Sequence, residues 1–126
     1  MHRSRIAGFI IDCKTDDLEA AGRFWGEALG LKVKPSSDAA DTGYVNFAHK
    51  PDDVYIEVQR VTHDSRVHLD IETDDLEAER ARLEKLGARF VAKVKSWIVM
   101  EAPTGHRFCL VRAQRSGFKD EANRWE

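Results

Sequence analysis

Glu57 is the first residue in this chain whose placement suggests chemistry. Within residues 54–61, Tyr55, Glu57 and Gln59 alternate with Ile56, Val58 and Arg60, the period-two pattern of a two-faced strand. A carboxylate aimed into a groove is costly unless it is paired or working. Glu57 therefore reads equally as a general base or as half of a salt bridge to an Arg or Lys across the sheet. His68 stands between Val67 and Leu69. An imidazole on such a strand is a hydrogen-bonded interior or rim residue, or a metal ligand. Cys109, between Phe108 and Leu110, reads as a small buried hydrophobe.

Fewer signals come from the remaining candidates. Trp97 opens a strand-like run, where it packs at the sheet rim or stacks on a flat ligand, and Trp25 lies on an apolar helical stripe that marks it as core. The acidic doublets Asp16-Asp17 and Asp74-Asp75 have the makings of a carboxylate dyad, but helix capping accounts for both copies at once. His63 and His106 fall in expected turns and read as solvated, while His2 and His49 carry no signal. The sequence holds no glycine-rich phosphate loop, no Ser-His-Asp arrangement and no Cys-x-x-Cys spacing.

The elements that must position these residues repeat. Residues 10–20 align with residues 68–78 at an offset of 58, and seven of eleven positions are identical, including the run Thr-Asp-Asp-Leu-Glu-Ala. Each copy reads as a strand (5–13 and 66–72) feeding a helix. Asp16 and Asp74 are the expected N-caps, with Glu19 and Glu77 at capping-box spacing, and Gly30 and Gly87 are the expected left-handed stops. Leu18, Ala21, Trp25, Ala28 and Leu29 form the apolar stripe of the first helix; Leu76, Leu83 and Leu86 form a thinner one. Three strand-like runs follow each helix, at 31–34, 44–48 and 54–61, then at 88–94, 97–101 and 107–112. Turn chemistry separates them at Pro35-Ser36-Ser37, Lys50-Pro51-Asp52-Asp53 and Pro103-Thr104-Gly105. Each half is thus β-α-β-β-β, an α+β arrangement in which two half-exposed sheets are expected to close over a shared apolar interior.

Composition narrows the function classes. With 126 residues, 42% hydrophobic and 33% charged, the chain has ordinary globular make-up and enough length for a real core. Its net charge of -2 and lack of a basic run argue against a nucleic-acid partner. The longest apolar stretch, Gly8-Phe9-Ile10-Ile11, is far short of a membrane span, and Met1-His2-Arg3-Ser4-Arg5 opens no secretory signal. Cys13 and Cys109 lie in separate apolar runs, so no disulfide framework is expected and the cytoplasm is the default setting.

A tandem β-α-β-β-β pair of this length resembles the vicinal oxygen chelate superfamily, the glyoxalase, bleomycin-resistance and extradiol dioxygenase fold. The local words agree: Phe24-Trp25 with Ala28-Leu29-Gly30, Val67-His68-Leu69-Asp70-Ile71, Trp97-Ile98-Val99-Met100, and the closing Pro103-Thr104-Gly105-His106-Arg107-Phe108-Cys109. Gln59-Arg60-Val61 leading into Val67-His68-Leu69-Asp70 is similar to a glyoxalase-like subgroup of uncharacterised bacterial proteins. The resemblance spans residues 5–113. It implies one domain over 1–126, with modules at 5–62 and 63–113 forming a U-shaped, partly closed mixed-sheet groove with helices outside. Residues 114–126 are left as a polar tail with at most a short docked helix.

The resemblance also implies a ligand set. The superfamily's four metal positions fall on Ile10, Glu57, His68 and Cys109, and Ile10 cannot ligate. Glu57, His68 and Cys109 with a water would make a three-ligand site for Zn, Mn, Ni or Fe. Gln59, Trp97 and Ile10 are expected to line the substrate groove. Two readings follow. In one, a divalent metal polarises a small oxygenated substrate for isomerase, lyase or ring-opening chemistry, with Glu57 as an alternative general base. In the other, a metal-free groove sequesters a drug or other hydrophobic molecule, as bleomycin-resistance relatives do. Either way the resemblance implies a homodimer and a small-molecule ligand.

Overall fold

The computed structural model describes residues 1–35 and 43–126. Element order is β1 (His2–Lys14), α1 (Leu18–Leu29), β2 (Val33–Lys34), β3 (Tyr44–Phe47), β4 (Tyr55–Val61), β5 (Arg66–Thr73), α2 (Leu76–Lys85), β6 (Arg89–Val94), β7 (Trp97–Glu101), β8 (Arg107–Arg112), α3 (Phe118–Glu121) and β9 (Asn123–Trp125). The two β-α-β-β-β copies are therefore present, in an α+β fold. Past Pro35, the expected turn at Pro35-Ser36-Ser37 lies outside the described residues. Among the described residues no helix is long and apolar enough to cross a membrane.

The chain divides into two compact units, Phe9–Val67 and Met1–Gly8 with His68–Glu126. In the first, β3 pairs antiparallel with β2 and with β4, and α1 packs on β3 through its glycines. The buried face of α1 is not the whole apolar stripe: Gly22 and Gly26 are its buried residues, while Ala28 and Leu29 are exposed. The reason is close approach. A Cβ on Gly22 would lie 2.8 Å from Val45 Cγ1, so only glycine lets the helix sit this near the strand.

In the second unit the strand order is β5-β8-β7-β6, with β5 and β8 parallel and the other pairs antiparallel. Its core is Leu83 of α2 with Ile98, Met100 and Leu110 of the sheet, flanked by Ile71, Leu76, Ala88, Phe90 and Phe108. Alternation then sends His68, Asp70 and Cys109 to the opposite face.

Both helices begin one residue later than the capping-box pattern predicts. The N-caps are Asp17 and Asp75, which accept from Ala20 N and Ala78 N at 3.0 Å each. Thr15 and Thr73 take the Asp17 and Asp75 N–H groups on their hydroxyls, and these local turns delay the first helical residue. Asp74 accepts instead from Arg3 N at 2.9 Å. Gly30 closes α1 in the left-handed region, and Gly87 (φ 103°) follows the α2 cap, Leu86.

The tail is more ordered than its polarity suggests. Besides the short α3, it supplies β9, which pairs antiparallel with the start of β1. Phe118 and Ala122 are buried. Two or three well-placed apolar residues suffice to dock a polar segment once an exposed strand edge offers it backbone partners.

Candidate functional site

The site is built on β5 and β8. Ile71 and Leu110, register partners, turn toward the α2 core, so Asp70 and Cys109, also register partners, turn away from it. His68 joins them from two residues earlier on β5. One ligand atom from each of His68, Asp70 and Cys109 lies within 4.8 Å of the others, and His68 Nε2 is 3.6 Å from Asp70 Oδ1. The side chains of His68 and Asp70 are largely shielded, at 12% and 10% exposure.

Imidazole, carboxylate and thiolate are the ordinary zinc donors, and the edge of a zinc tetrahedron is about 3.4 Å for nitrogen and oxygen ligands. His68 Nε2 and Asp70 Oδ1 stand near that spacing, and the three donors, within 4.8 Å of one another, could hold a divalent ion with a position left for water or substrate. Their chemistry leans toward zinc, because the sulfur is soft.

Glu72 continues the same face of β5 and is fully buried. Burial alone would raise its pKa. Hydrogen bonds from Gln114 N, Arg115 N and the Arg115 and Arg5 side chains outweigh that and hold it below the ordinary carboxylate value. Further along, Glu79 of α2 receives His2 Nε2 at 2.7 Å and a two-pronged Arg82 contact at 2.8 Å, which likewise hold it low against burial.

Of the residues singled out from sequence, His68 and Cys109 are brought together. Glu57 is not one of the three: it lies on β4 in the Phe9–Val67 unit, opposite Asn46 of β3. Gln59, two residues on, donates to the Tyr44 hydroxyl at 2.9 Å. Ile10 is 2% exposed. Trp97 is half-buried at the start of β7, opposite Val94. His63 and His106 are exposed, as turn residues should be.

Asp70 was missed by sequence reasoning. A signal was available: it is two residues from His68, hence on the same strand face, and it is identical with Asp12 in the repeat. Asp12 is itself buried, 4.0 Å from Arg66 Nε. His2 was also passed over, since nothing local in the sequence announces a partner 77 positions away.

Comparison with known proteins agrees with this fold. A family profile described as a glyoxalase-like domain matches residues 8–111. No protein among those with curated descriptions matches in sequence. Among solved structures, methylmalonyl-CoA epimerase from Mycobacterium tuberculosis is similar, with a TM-score of 0.61 and 16% identity over 85% of this chain and 86% of that one. The Mn(II)-bound glyoxalase from Novosphingobium aromaticivorans gives a TM-score of 0.63 and 20% identity, covering 100% of this chain and 44% of that one. A methylmalonyl-CoA epimerase from Streptomyces coelicolor gives 0.60 and 19%, over 88% and 98%. At these identities the likeness is one of fold, while the profile match covers most of the chain. The chain belongs to the glyoxalase-like domain family.

Proposed function

We propose that this protein binds a small oxygenated organic molecule at the sheet face bearing His68, Asp70 and Cys109, where a divalent ion assists isomerase- or lyase-type chemistry. The convergence of three ligand atoms within 4.8 Å carries the reading. When bound, a zinc-type ion there supplies Lewis acidity toward neighbouring substrate oxygens. The chain's own part is to hold that position: Asp70 and Cys109 contribute negative charge, His68 a nitrogen donor, and the shielding of His68 and Asp70 keeps water from competing. The structural neighbours, named as methylmalonyl-CoA epimerases and a Mn(II)-bound glyoxalase, support the choice of small oxygenated substrates.

The same proposal takes residues 1–126 as one glyoxalase-like domain, working as a cytoplasmic homodimer. Within it Trp97 contacts the ligand. Its test is elemental analysis of untagged protein after loading with Zn, Mn, Ni or Fe(II), with His68→Ala beside it. About one ion per chain, lost in the variant, is the expected result. A second reading rests on Ile10, a buried apolar residue where the resemblance puts a fourth ligand. On it, no metal binds under any loading, and the protein instead captures a hydrophobic molecule with an affinity that His68→Ala leaves unchanged.

A further inference from the structure

Glu72 lies two residues beyond Asp70 and four beyond His68 on one face of β5, and it is completely enclosed. Its Oε1 accepts Gln114 N at 2.8 Å and Arg115 N at 3.1 Å, and its Oε2 accepts Arg115 Nε at 2.8 Å and Arg5 Nε at 3.0 Å. The two guanidinium groups are themselves shielded, with Arg5 at 9% exposure and Arg115 at 7%. Arg5 reaches on to Ser116 O at 2.9 Å and to Glu121 at 3.3 Å, and lies 5.6 Å from the Phe118 ring centroid. Arg115 also donates to Ile6 O.

A second attachment lies further along the tail. β9 pairs with β1 at His2↔Trp125, Arg3↔Arg124 and Ser4↔Asn123. Trp125 Nε1 donates to Ser4 Oγ at 2.8 Å, and its ring carries the Arg82 guanidinium at 3.9 Å. Arg5, Arg115 and β9 all lie outside residues 8–111, the part matched by the family profile. The terminal segments of this chain thus clasp each other and share one buried carboxylate of the family core.

That carboxylate sits where β5 and β8 run side by side. Asp70 pairs with Cys109, Glu72 with Val111 and Thr73 with Arg112, and immediately beyond, Ala113 N donates to Thr73 O at 3.1 Å. The chain then turns, and its next two backbone N–H groups close onto Glu72. A parallel pair has no hairpin to fix its register, so the register must be held from elsewhere. We propose that Glu72 is a positioning residue: by gripping the segment that follows β8, it locks the β5–β8 register that keeps Asp70 opposite Cys109. A loss of this grip lets β8 shift against β5 and spreads the three donor atoms.

The proposal rests on the metal reading for one of its two measurements, and the other is independent of metal. Glu72→Gln keeps the shape and removes the charge, and Arg115→Lys keeps the charge and removes the fork. Each variant is titrated as full-length protein with Co(II), a zinc surrogate, following the thiolate-to-cobalt charge-transfer band. Separately, metal-free protein is alkylated with iodoacetamide, and Cys109 and Cys13 are scored by mass spectrometry. Cys13 lies in the other unit, so it serves as the internal reference thiol.

Both variants are expected to bind cobalt about 10–100-fold more weakly, as losses of outer-shell support do. Cys109 alkylation is expected to rise several-fold against Cys13. Unchanged cobalt affinity and an unchanged Cys109-to-Cys13 ratio, with only a lower urea midpoint, would reduce Glu72 to a structural role and overturn the proposal. If wild-type protein takes up no cobalt, the metal reading fails, and the alkylation ratio alone decides about Glu72. If Glu72→Gln does not fold, the same two measurements on Arg115→Lys decide the matter.

Discussion

Asp70 on β5 and Cys109 on β8 are direct register partners in the parallel pairing, with His68 Nε2 3.6 Å from Asp70 Oδ1 beside them. A carboxylate and a thiol 39 positions apart in sequence thereby stand one strand-to-strand interval from each other, about 4.8 Å in a sheet, with the imidazole two residues before the carboxylate.

If Asp70 is a ligand, its oxygen charge matters more than its shape. Asp70→Asn should weaken zinc binding by at least about tenfold, read by competition with a chromophoric chelator. The fold should persist in far-ultraviolet circular dichroism. Wild-type affinity in this variant would remove Asp70 from the ligand set.

The contact of Gly22 with Val45 makes a steric prediction. Gly22→Ala puts a methyl 2.8 Å from Val45 Cγ1, so overpacking should cost about 1–3 kcal/mol in urea unfolding despite the better helix propensity of alanine. Gly22→Ala with Val45→Ala should recover part of the loss relative to the sum of the single changes.

The two doublets separate capping from charge. Asp75→Ala removes the acceptor of Ala78 N and should cost about 1 kcal/mol, measured by denaturant midpoint. The same holds for Asp17→Ala on α1. Asp16→Ala, at the exposed residue before that cap, should change the midpoint by less than about 0.5 kcal/mol. The reverse ranking would restore Asp16 as the cap.

Acid should attack the same places. Glu72 and Glu79 both titrate below the ordinary value of 4.5 when folded. A lowered folded pKa gives stability that is fully present above the unfolded value and is lost as pH falls through the folded one. Urea midpoints should therefore be level from pH 7 down to about 5 and decline below about 4.5. In Glu72→Gln the decline should be shallower, because one of the proton-linked groups is gone.

Much of the fold was legible in the sequence. The 58-residue repeat, the period-two runs and Gly30 are local or periodic signals, and local chemistry sets them wherever the chain goes. Capping was legible in kind but displaced by one residue, since a threonine hydroxyl competing for a backbone N–H is decided by a single torsion. β9 was not legible: Asn123–Trp125 has no strand pattern of its own and becomes a strand only because β1 offers an edge.

The site divides along the same line. The resemblance of the sequence to the superfamily already put candidate ligands at His68 and Cys109. Only the tertiary structure decided that Asp70 stands with them within 4.8 Å, and that Glu72 is shared by the chain's two terminal segments. Periodicity fixes which face of a strand a side chain occupies. Register fixes which side chain stands opposite, and in a parallel pair that depends on contacts made far along the chain.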